Sequence, residues 1–320
     1  MEERNLGASG LRVSAVGLGC NNLGGRLDAA KSHIVVHAAV DAGITLFDTA
    51  DRYPLTNAGR SEELLGSALG RRRKDVIVAT KFGLPMDPAG RSSGASRRYI
   101  MSAVDASLRR LRTDWIDLYQ VHRSDPHTPI EETVCALDDL ISQGKIRYAG
   151  CSNYASWEIV QAKWTATSLH RIPMISVQDE YSLLARGVER EILPATAAAG
   201  MGFLPYFPLA SGLLSGKYRG GAKPAGARLA SKSQLADTFL SAENIAKADK
   251  LSAFAEAHGH TPLELAFSWL LARPTVSSVI AGASNPEQIA QNVASAAWIL
   301  TNADLAAIDA IAPGPEKPAH

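Results

Sequence analysis

The sequence predicts an α/β protein of eight parallel βα units closed on themselves, a (β/α)8 TIM barrel, with an N-terminal β-hairpin capping the barrel bottom. Strand-like apolar runs alternate with helix-like segments of about 10–15 residues, the pattern of parallel βα units. Eight of each can be read along the 320 residues, which favours a closed barrel over an open doubly wound sheet. Four ionisable residues, Asp48, Tyr53, Lys81 and His122, also stand at or just past the ends of such runs. In a parallel barrel those ends converge on one mouth.

Taken in order, Arg4-Asn5-Leu6 and Leu11-Arg12-Val13 flank the turn-forming Gly7-Ala8-Ser9-Gly10 and read as the hairpin. Barrel strands are expected at Val16 to Leu18, Leu46 to Asp48, Val76 to Thr80, Ile116 to Gln120, Tyr148 to Ser152, Ile175 to Gln178, Gly202 to Pro205 and Ser278 to Ala281. Helices are expected to begin near Ala29, Ser61, Arg97, Ile130, Ala155, Val188 and Pro262, with an eighth from Pro286 to Ala296. Thr261-Pro262-Leu263-Glu264 has the capping-box pattern with proline at the first helical position, and Asn285-Pro286-Glu287-Gln288 repeats that logic. Two stretches break the alternation: Gly83 to Ser96, and Phe207 to Leu240 with Gly212, Gly216, Gly220, Gly221 and Gly226. The second far exceeds the usual βα loop of about 2–6 residues, so a functional loop is expected there. The chain reads as one domain over residues 1–312 and a Pro-rich tail, 313–320.

Composition narrows the function classes. Lys plus Arg number 33 against 32 Asp plus Glu, so no net charge attracts nucleic acid or an anionic membrane, and neither is expected as a partner. The cluster Arg71-Arg72-Arg73-Lys74 follows a helix-like stretch, where cations favour the C-terminal end of the dipole. Three cysteines, Cys20, Cys135 and Cys151, lack metal-like spacing and point to a reducing compartment, hence a cytoplasmic protein. Met1-Glu2-Glu3-Arg4 does not lead into an apolar h-region, and no run approaches the ~20 apolar residues of a membrane span.

Three tempting motifs fail. Gly17-Leu18-Gly19-Cys20-Asn21-Asn22 places Asn22 where a dinucleotide fingerprint needs its third glycine. Gly212-Leu213-Leu214-Ser215-Gly216-Lys217-Tyr218 is one residue short of a P-loop and ends in tyrosine where Ser or Thr would hold magnesium. His33 and His37 stand one helical turn apart, but Ile34 replaces the glutamate a zincin needs, and no metal is expected.

The four strand-end residues make chemical sense together. A free phenol, with a pKa of about 10, is a weak acid at neutral pH, so Tyr53 as proton donor needs help. A Lys81 ammonium favours the phenolate, Asp48 can keep that ammonium charged and aimed, and His122 can orient a carbonyl oxygen by donating a hydrogen bond. Such a set protonates a developing alkoxide, and the matching chemistry is hydride delivery from a cofactor such as a nicotinamide.

Their surroundings resemble the aldo-keto reductase superfamily. The resemblance lies in Leu46-Phe47-Asp48-Thr49-Ala50-Asp51-Arg52-Tyr53, Ser61-Glu62-Glu63-Leu64-Leu65-Gly66, Ala79-Thr80-Lys81 and Asp117-Leu118-Tyr119-Gln120-Val121-His122. It continues through Gly150-Cys151-Ser152-Asn153, Val177-Gln178-Asp179-Glu180-Tyr181, the run from Leu209 to Lys217, and Gly282-Ala283-Ser284-Asn285-Pro286-Glu287-Gln288. It implies NADPH extended across the C-terminal mouth and reduction of aldehydes or ketones, with Tyr53 as general acid, Lys81 and Asp48 as its supporting pair and His122 orienting the carbonyl. By the same match Gly19, Cys20 and Asn21 would border the cofactor, Ser152, Asn153 and Gln178 would hold the carboxamide, and Tyr206 would stack on the nicotinamide ring. Phe207, Pro208, Leu209, Ser211, Gly212, Leu214, Gly216 and Lys217 would close over the pyrophosphate. Ser284 and Gln288 would lie near the 2′-phosphate and Asn292 near the base, with Gly282 and Gln291 beside them.

The chain departs from the family pattern in places. Gly282 and Gln288 stand where many members carry Lys or Arg to grip the 2′-phosphate, so NADPH is expected from the resemblance, with NADH possible. Pro54 replaces the usual glycine after Tyr53, and Cys20-Asn21-Asn22 follows the first strand. Asn21, Asn22 and the segment Arg123 to Pro129 are expected to border the substrate, a small carbonyl compound or alcohol, and the asparagines suggest a hydroxylated one such as a keto sugar. Two alternatives share the fold: an alcohol or sugar dehydrogenase working toward oxidation, and a redox-sensing subunit, since the sequence also resembles the β-subunits of potassium channels.

Overall fold

A computed structural model describes residues 1–222, 229 and 234–315. Gly226 of the long loop and residues 316–320 of the expected tail lie outside the described residues. The hairpin strands are β1 (Glu3–Asn5) and β2 (Arg12–Ser14), paired antiparallel. Eight parallel strands follow: β3 (Val16–Gly19), β4 (Leu46–Asp48), β5 (Ile77–Phe82), β6 (Ile116–Val121), β7 (Ile146–Ser152), β8 (Ser176–Glu180), β9 (Gly202–Tyr206) and β10 (Val279–Ala281). They pair in the order β10-β3-β4-β5-β6-β7-β8-β9. A parallel bridge between Phe203 of β9 and Val276, just before β10, joins the two ends and closes the barrel.

Side chains alternate along a strand, so every second residue faces the barrel axis. Leu46, Ala79, Leu118, Leu204 and Ile280 form an apolar layer that packs against Leu6 and Val13 of the hairpin. Two residues further along the same strands stand Asp48, Lys81, Gln120, Tyr206 and Gly282. Alternation therefore stacks a greasy floor beneath a polar mouth. Gly7, at φ +61, lies so close to Gly202 that a Cβ on Gly7 would come within 2.4 Å of the Gly202 nitrogen, which is how the turn seats against the barrel bottom. Leu6 is fully buried in this plug. Leu6→Ala is expected to cost about 2–5 kcal/mol, the range for emptying a packed core site, read as a lower urea midpoint with unchanged slope.

The helices are α1 (Ala29–Asp41), α2 (Arg60–Leu69), α3 (Arg97–Leu111), α4 (Ile130–Ser142), α5 (Ser156–Ser168), α6 (Ile192–Ala198), α7 (Gln234–Phe239), α8 (Ala242–Ala257), α9 (Pro262–Leu271), α10 (Pro286–Ala294) and α11 (Asn302–Ile311). The helix expected near Val188 starts instead at Ile192, after a 3-10 turn at Gly187–Glu189. Pro194 sits in its first turn, where a missing N–H costs nothing. Helices α7, α8 and α11 were not anticipated. At α9 the capping box is complete, Thr261 Oγ1 accepting from Glu264 N and Glu264 accepting from Thr261 N. At α10 the return bond shifts by one residue: Asn285 accepts from Gln288 N, but the Gln288 amide oxygen accepts from Ser284 N.

The basic cluster after α2 has structural partners. Arg72 pairs with Asp41 at 2.6 Å, and Arg73 pairs with Asp117 at 2.7 Å while its guanidinium lies 4.7 Å from the Trp115 ring centre. His33 and His37 lie on α1, with His37 Nε2 2.8 Å from the Ala68 carbonyl. Among the described residues no helix is long and apolar enough to cross a membrane.

Candidate active site

The polar layer at the C-terminal mouth gathers around one buried ion pair. Lys81 Nζ lies 2.8 and 2.7 Å from the two carboxylate oxygens of Asp48, with side chains only 1% and 6% exposed. The ammonium's third bond goes to the Thr49 carbonyl at 3.0 Å. A lysine has three donors, and all are spent. Asp48 Oδ1 also accepts from Gln178 Nε2 at 2.9 Å and Gln120 Nε2 at 3.4 Å. Burial alone would push the Lys81 pKa down, but the charge and hydrogen bonds of Asp48, together with Tyr53, raise it above its ordinary value. Lys81 therefore stays an ammonium.

Tyr53 and His122 close the top of this arrangement. The Lys81 ammonium is 5.3 Å from the Tyr53 ring centre, and the Tyr53 and His122 rings meet edge to face with centres 5.7 Å apart. Tyr53 is half-buried, so it faces both the ion pair and the opening. Its turn is tied down by backbone bonds from Asp51 N to Lys81 O at 3.0 Å and from Ser61 N to Tyr53 O at 3.1 Å. Asp48 ends β4 and His122 directly follows β6, as expected; Lys81, expected just past its strand, lies inside β5.

His122 is held neutral. Burial first, then the charges of Lys81 and Arg123, lower its pKa from 6.5 to about 3. Its Nδ1 is buried without a hydrogen-bond partner, although polar atoms are normally paired when buried. Between pH 6.5 and about 3 the unfolded chain takes up a proton at this ring that the folded chain refuses, so His122 removes stability as the pH falls through that window. The decline of the urea midpoint on acidification should accordingly be flatter in His122→Gln than in wild type.

A second group flanks the mouth. Asn153, at φ +55, donates from Nδ2 to His122 O at 3.0 Å and to Ser152 Oγ at 2.9 Å, and accepts from Tyr206 OH at 2.8 Å. The Tyr206 ring stands 5.4 Å from Phe207, which packs edge to face on Phe239 of α7. Phe207, Ala210, Ser211, Gly212 and Gly216 all have positive φ. The left-handed run Ala210–Gly212 makes a tight curl, and backbone curls with mixed handedness can turn amides toward an anion. Part of that capacity is used internally, because Gly212 N and Leu214 N both bond Leu209 O. Ser211 Oγ is buried without a partner, and a Cβ on Gly212 would come within 2.8 Å of Lys217 Nζ. Lys217 is exposed beside this curl, Pro208 and Leu214 are buried, and Leu209 is partly buried.

The remaining expected residues have these positions and partners. The Cys20 sulfur is buried 3.7 Å from Leu18 O, within electrostatic reach of Asp48 and Lys81, and the Cys20 carbonyl accepts from Ser61 Oγ. Asn22, expected to border substrate, is buried and donates to Ala283 O at 3.2 Å, tying β3 to the segment after β10. Gln178 faces Asp48. Gly19 and Asn21 lie at the end of β3, Gly282 and Ser284 between β10 and α10, and Gln291 and Asn292 on α10, where Asn292 is buried and Gln291 exposed. Gln120 was missed, although it shares an alternation face with His122. Also missed was the buried Glu62, which accepts from Thr80 Oγ1 and Arg110 Nε, each at 2.6 Å. It anchors α2 behind the site.

Residues 15–313 match the model of the aldo/keto reductase family. A probable voltage-gated potassium channel subunit beta of Arabidopsis thaliana is 38% identical over 300 residues, covering 92% of this chain and 90% of that protein. A putative voltage-gated potassium channel subunit beta of Schizosaccharomyces pombe is also 38% identical, over 96% of this chain and 92% of its own length. An uncharacterized oxidoreductase of Bacillus subtilis, YrpG, is 34% identical over 98% and 97%. The chain belongs to the aldo/keto reductase family and is an NAD(P)H-dependent oxidoreductase acting on carbonyl groups.

Proposed function

We propose that the protein reduces an aldehyde or ketone at the expense of NADPH, with Tyr53 as general acid. The observation that carries this reading is the Lys81–Asp48 pair: a permanently charged ammonium, buried and spent on three acceptors, set 5.3 Å from the ring of the one phenol it shares with His122. A reduced nicotinamide, when bound, supplies the hydride. Tyr53 then gives its proton to the carbonyl oxygen, and the Lys81 ammonium stabilises the phenolate left behind. His122, neutral, can donate one hydrogen bond to that oxygen and fix its direction. Asp48 keeps Lys81 charged and aimed.

The residues fit such a cofactor. The Tyr206 face can position a flat ring, and Ser152, Asn153 and Gln178 can meet a carboxamide, Gln178 by exchanging its bond to Asp48. The unpartnered Ser211 hydroxyl, the curl from Phe207 to Gly216, and Lys217 suit a pyrophosphate. The N-terminus of α10, with Ser284, Gln288 and Asn292, suits the phosphorylated adenosine end. Rates with NADPH and NADH against a panel of aldehydes and ketones, and with NADP against the matching alcohols, test the cofactor and the direction. Faster turnover with NADH, or oxidation only, would replace this reading.

The channel-subunit relatives favour a second reading, in which the same barrel binds a membrane protein and reports its redox state. Capture of a channel by the immobilised protein, altered by exchanging NADPH for NADP, would support it.

A further inference from the structure

The residue after His122 stands at the same opening. Arg123 follows β6 at the C-terminal mouth and is exposed. The carbonyl of its own peptide bond, His122 O, accepts from Asn153, whose other end accepts from Tyr206 OH, so two hydrogen bonds of 3.0 and 2.8 Å separate the root of Arg123 from the Tyr206 hydroxyl. Arg123 adds, after burial and Lys81, to the lowering of the His122 pKa, and it opposes the rise that burial and the nearby acids cause at Tyr206.

The acids nearby are committed elsewhere. Asp125, two residues on, accepts from Ala95 N at 2.8 Å, His127 N at 2.9 Å and Thr128 Oγ1 at 2.7 Å. Asp179, at the end of β8, accepts from Glu180 N at 2.7 Å, and burial raises the pKa of both Asp179 and Glu180. Among the described residues Arg123 enters no ion pair. The mouth thus carries a cation after β6, while Glu180, on the same alternation face as Gln178, ends β8 across from it. An anionic group entering it is drawn to one rim and repelled from the other.

We propose that Arg123 is a specificity-determining residue that recognises an acidic substrate: an aldehyde or ketone carrying a carboxylate at its far end, held by the guanidinium while the carbonyl oxygen meets Tyr53 and His122. This rests on the reductase reading of the same site. Guanidinium suits the task because its planar fork pairs with a carboxylate through two parallel bonds and stays charged at every working pH.

The test compares 4-carboxybenzaldehyde with its neutral methyl ester in wild type, Arg123→Gln and Arg123→Lys. Wild type should prefer the acid, and Arg123→Gln should lower the acid-to-ester ratio of kcat/KM by about 10-fold or more, chiefly through KM for the acid. Arg123→Lys should keep part of the preference, and added salt should erode it in wild type. NADPH affinity, measured separately, should not follow the ratio. A ratio unchanged by Arg123→Gln overturns the proposal. So does a preference that moves only for glyceraldehyde 3-phosphate over glyceraldehyde, which would assign the guanidinium to phosphate. Binding of benzoate and benzamide by calorimetry, with NADP present, needs no turnover. Benzoate should bind more tightly, and only while Arg123 is present; equal binding contradicts the Arg123 assignment, whereas no turnover of either aldehyde speaks against the reductase reading.

Discussion

Tyr53→Phe should lower the rate of carbonyl reduction by about 10²–10⁴-fold, the usual contribution of a positioned general acid, while NADPH binds as before. The substitution removes one oxygen and leaves the ring that packs against His122 and the Lys81 ammonium. Structure and cofactor affinity should therefore survive, and the loss should fall on kcat and kcat/KM alike, the signature of an interaction made in the transition state. Fluorescence titration with NADPH and steady-state rates on one ketone separate the two effects. A variant that neither binds NADPH nor turns over would instead make Tyr53 part of the cofactor's seat.

The second large effect concerns stability as well as rate. Asp48→Asn leaves the Lys81 ammonium buried with no counter-charge, and breaking a buried pair from one side costs about 3–5 kcal/mol. Lys81→Met should be similarly costly, because it strands the carboxylate beside Gln120 and Gln178. The double variant Lys81→Met/Asp48→Asn removes both charges and should recover most of the stability lost by either single change, yet remain inactive. Urea midpoints of the four proteins, read beside their reductase rates, decide this. Additive losses in the double variant would mean that the two side chains do not stabilise one another.

Much of this was legible because strands and barrels obey short periods. The apolar runs located all eight barrel strands within a residue or two, and the two-residue alternation that buries Leu46, Ala79 and Leu118 also places Asp48, Lys81 and Gln120 one step higher. Gln120 escaped notice only because a glutamine amid apolar residues was not followed to its facing position. Helix α11 carried a readable signal, Thr301 with Asp304 three residues on, but aspartate is the less familiar partner in that box. Helix α8 follows a loop whose glycines masked the Ser241 cap. The fates of Cys20 and Asn22 could not be read from spacing, since Ser61 and Ala283 lie far from them in sequence and meet them only when the barrel closes.

Proton transfer from Tyr53 to a substrate carbonyl can be followed in one turnover. The direct measurement follows nicotinamide absorbance on mixing NADPH-loaded protein with an aldehyde in a single turnover, for wild type and Tyr53→Phe, with the alcohol product quantified. Wild type should oxidise one NADPH per alcohol formed, and Tyr53→Phe should bind NADPH but form alcohol at least ~100-fold more slowly. Alcohol formed by Tyr53→Phe at the wild-type rate would contradict it.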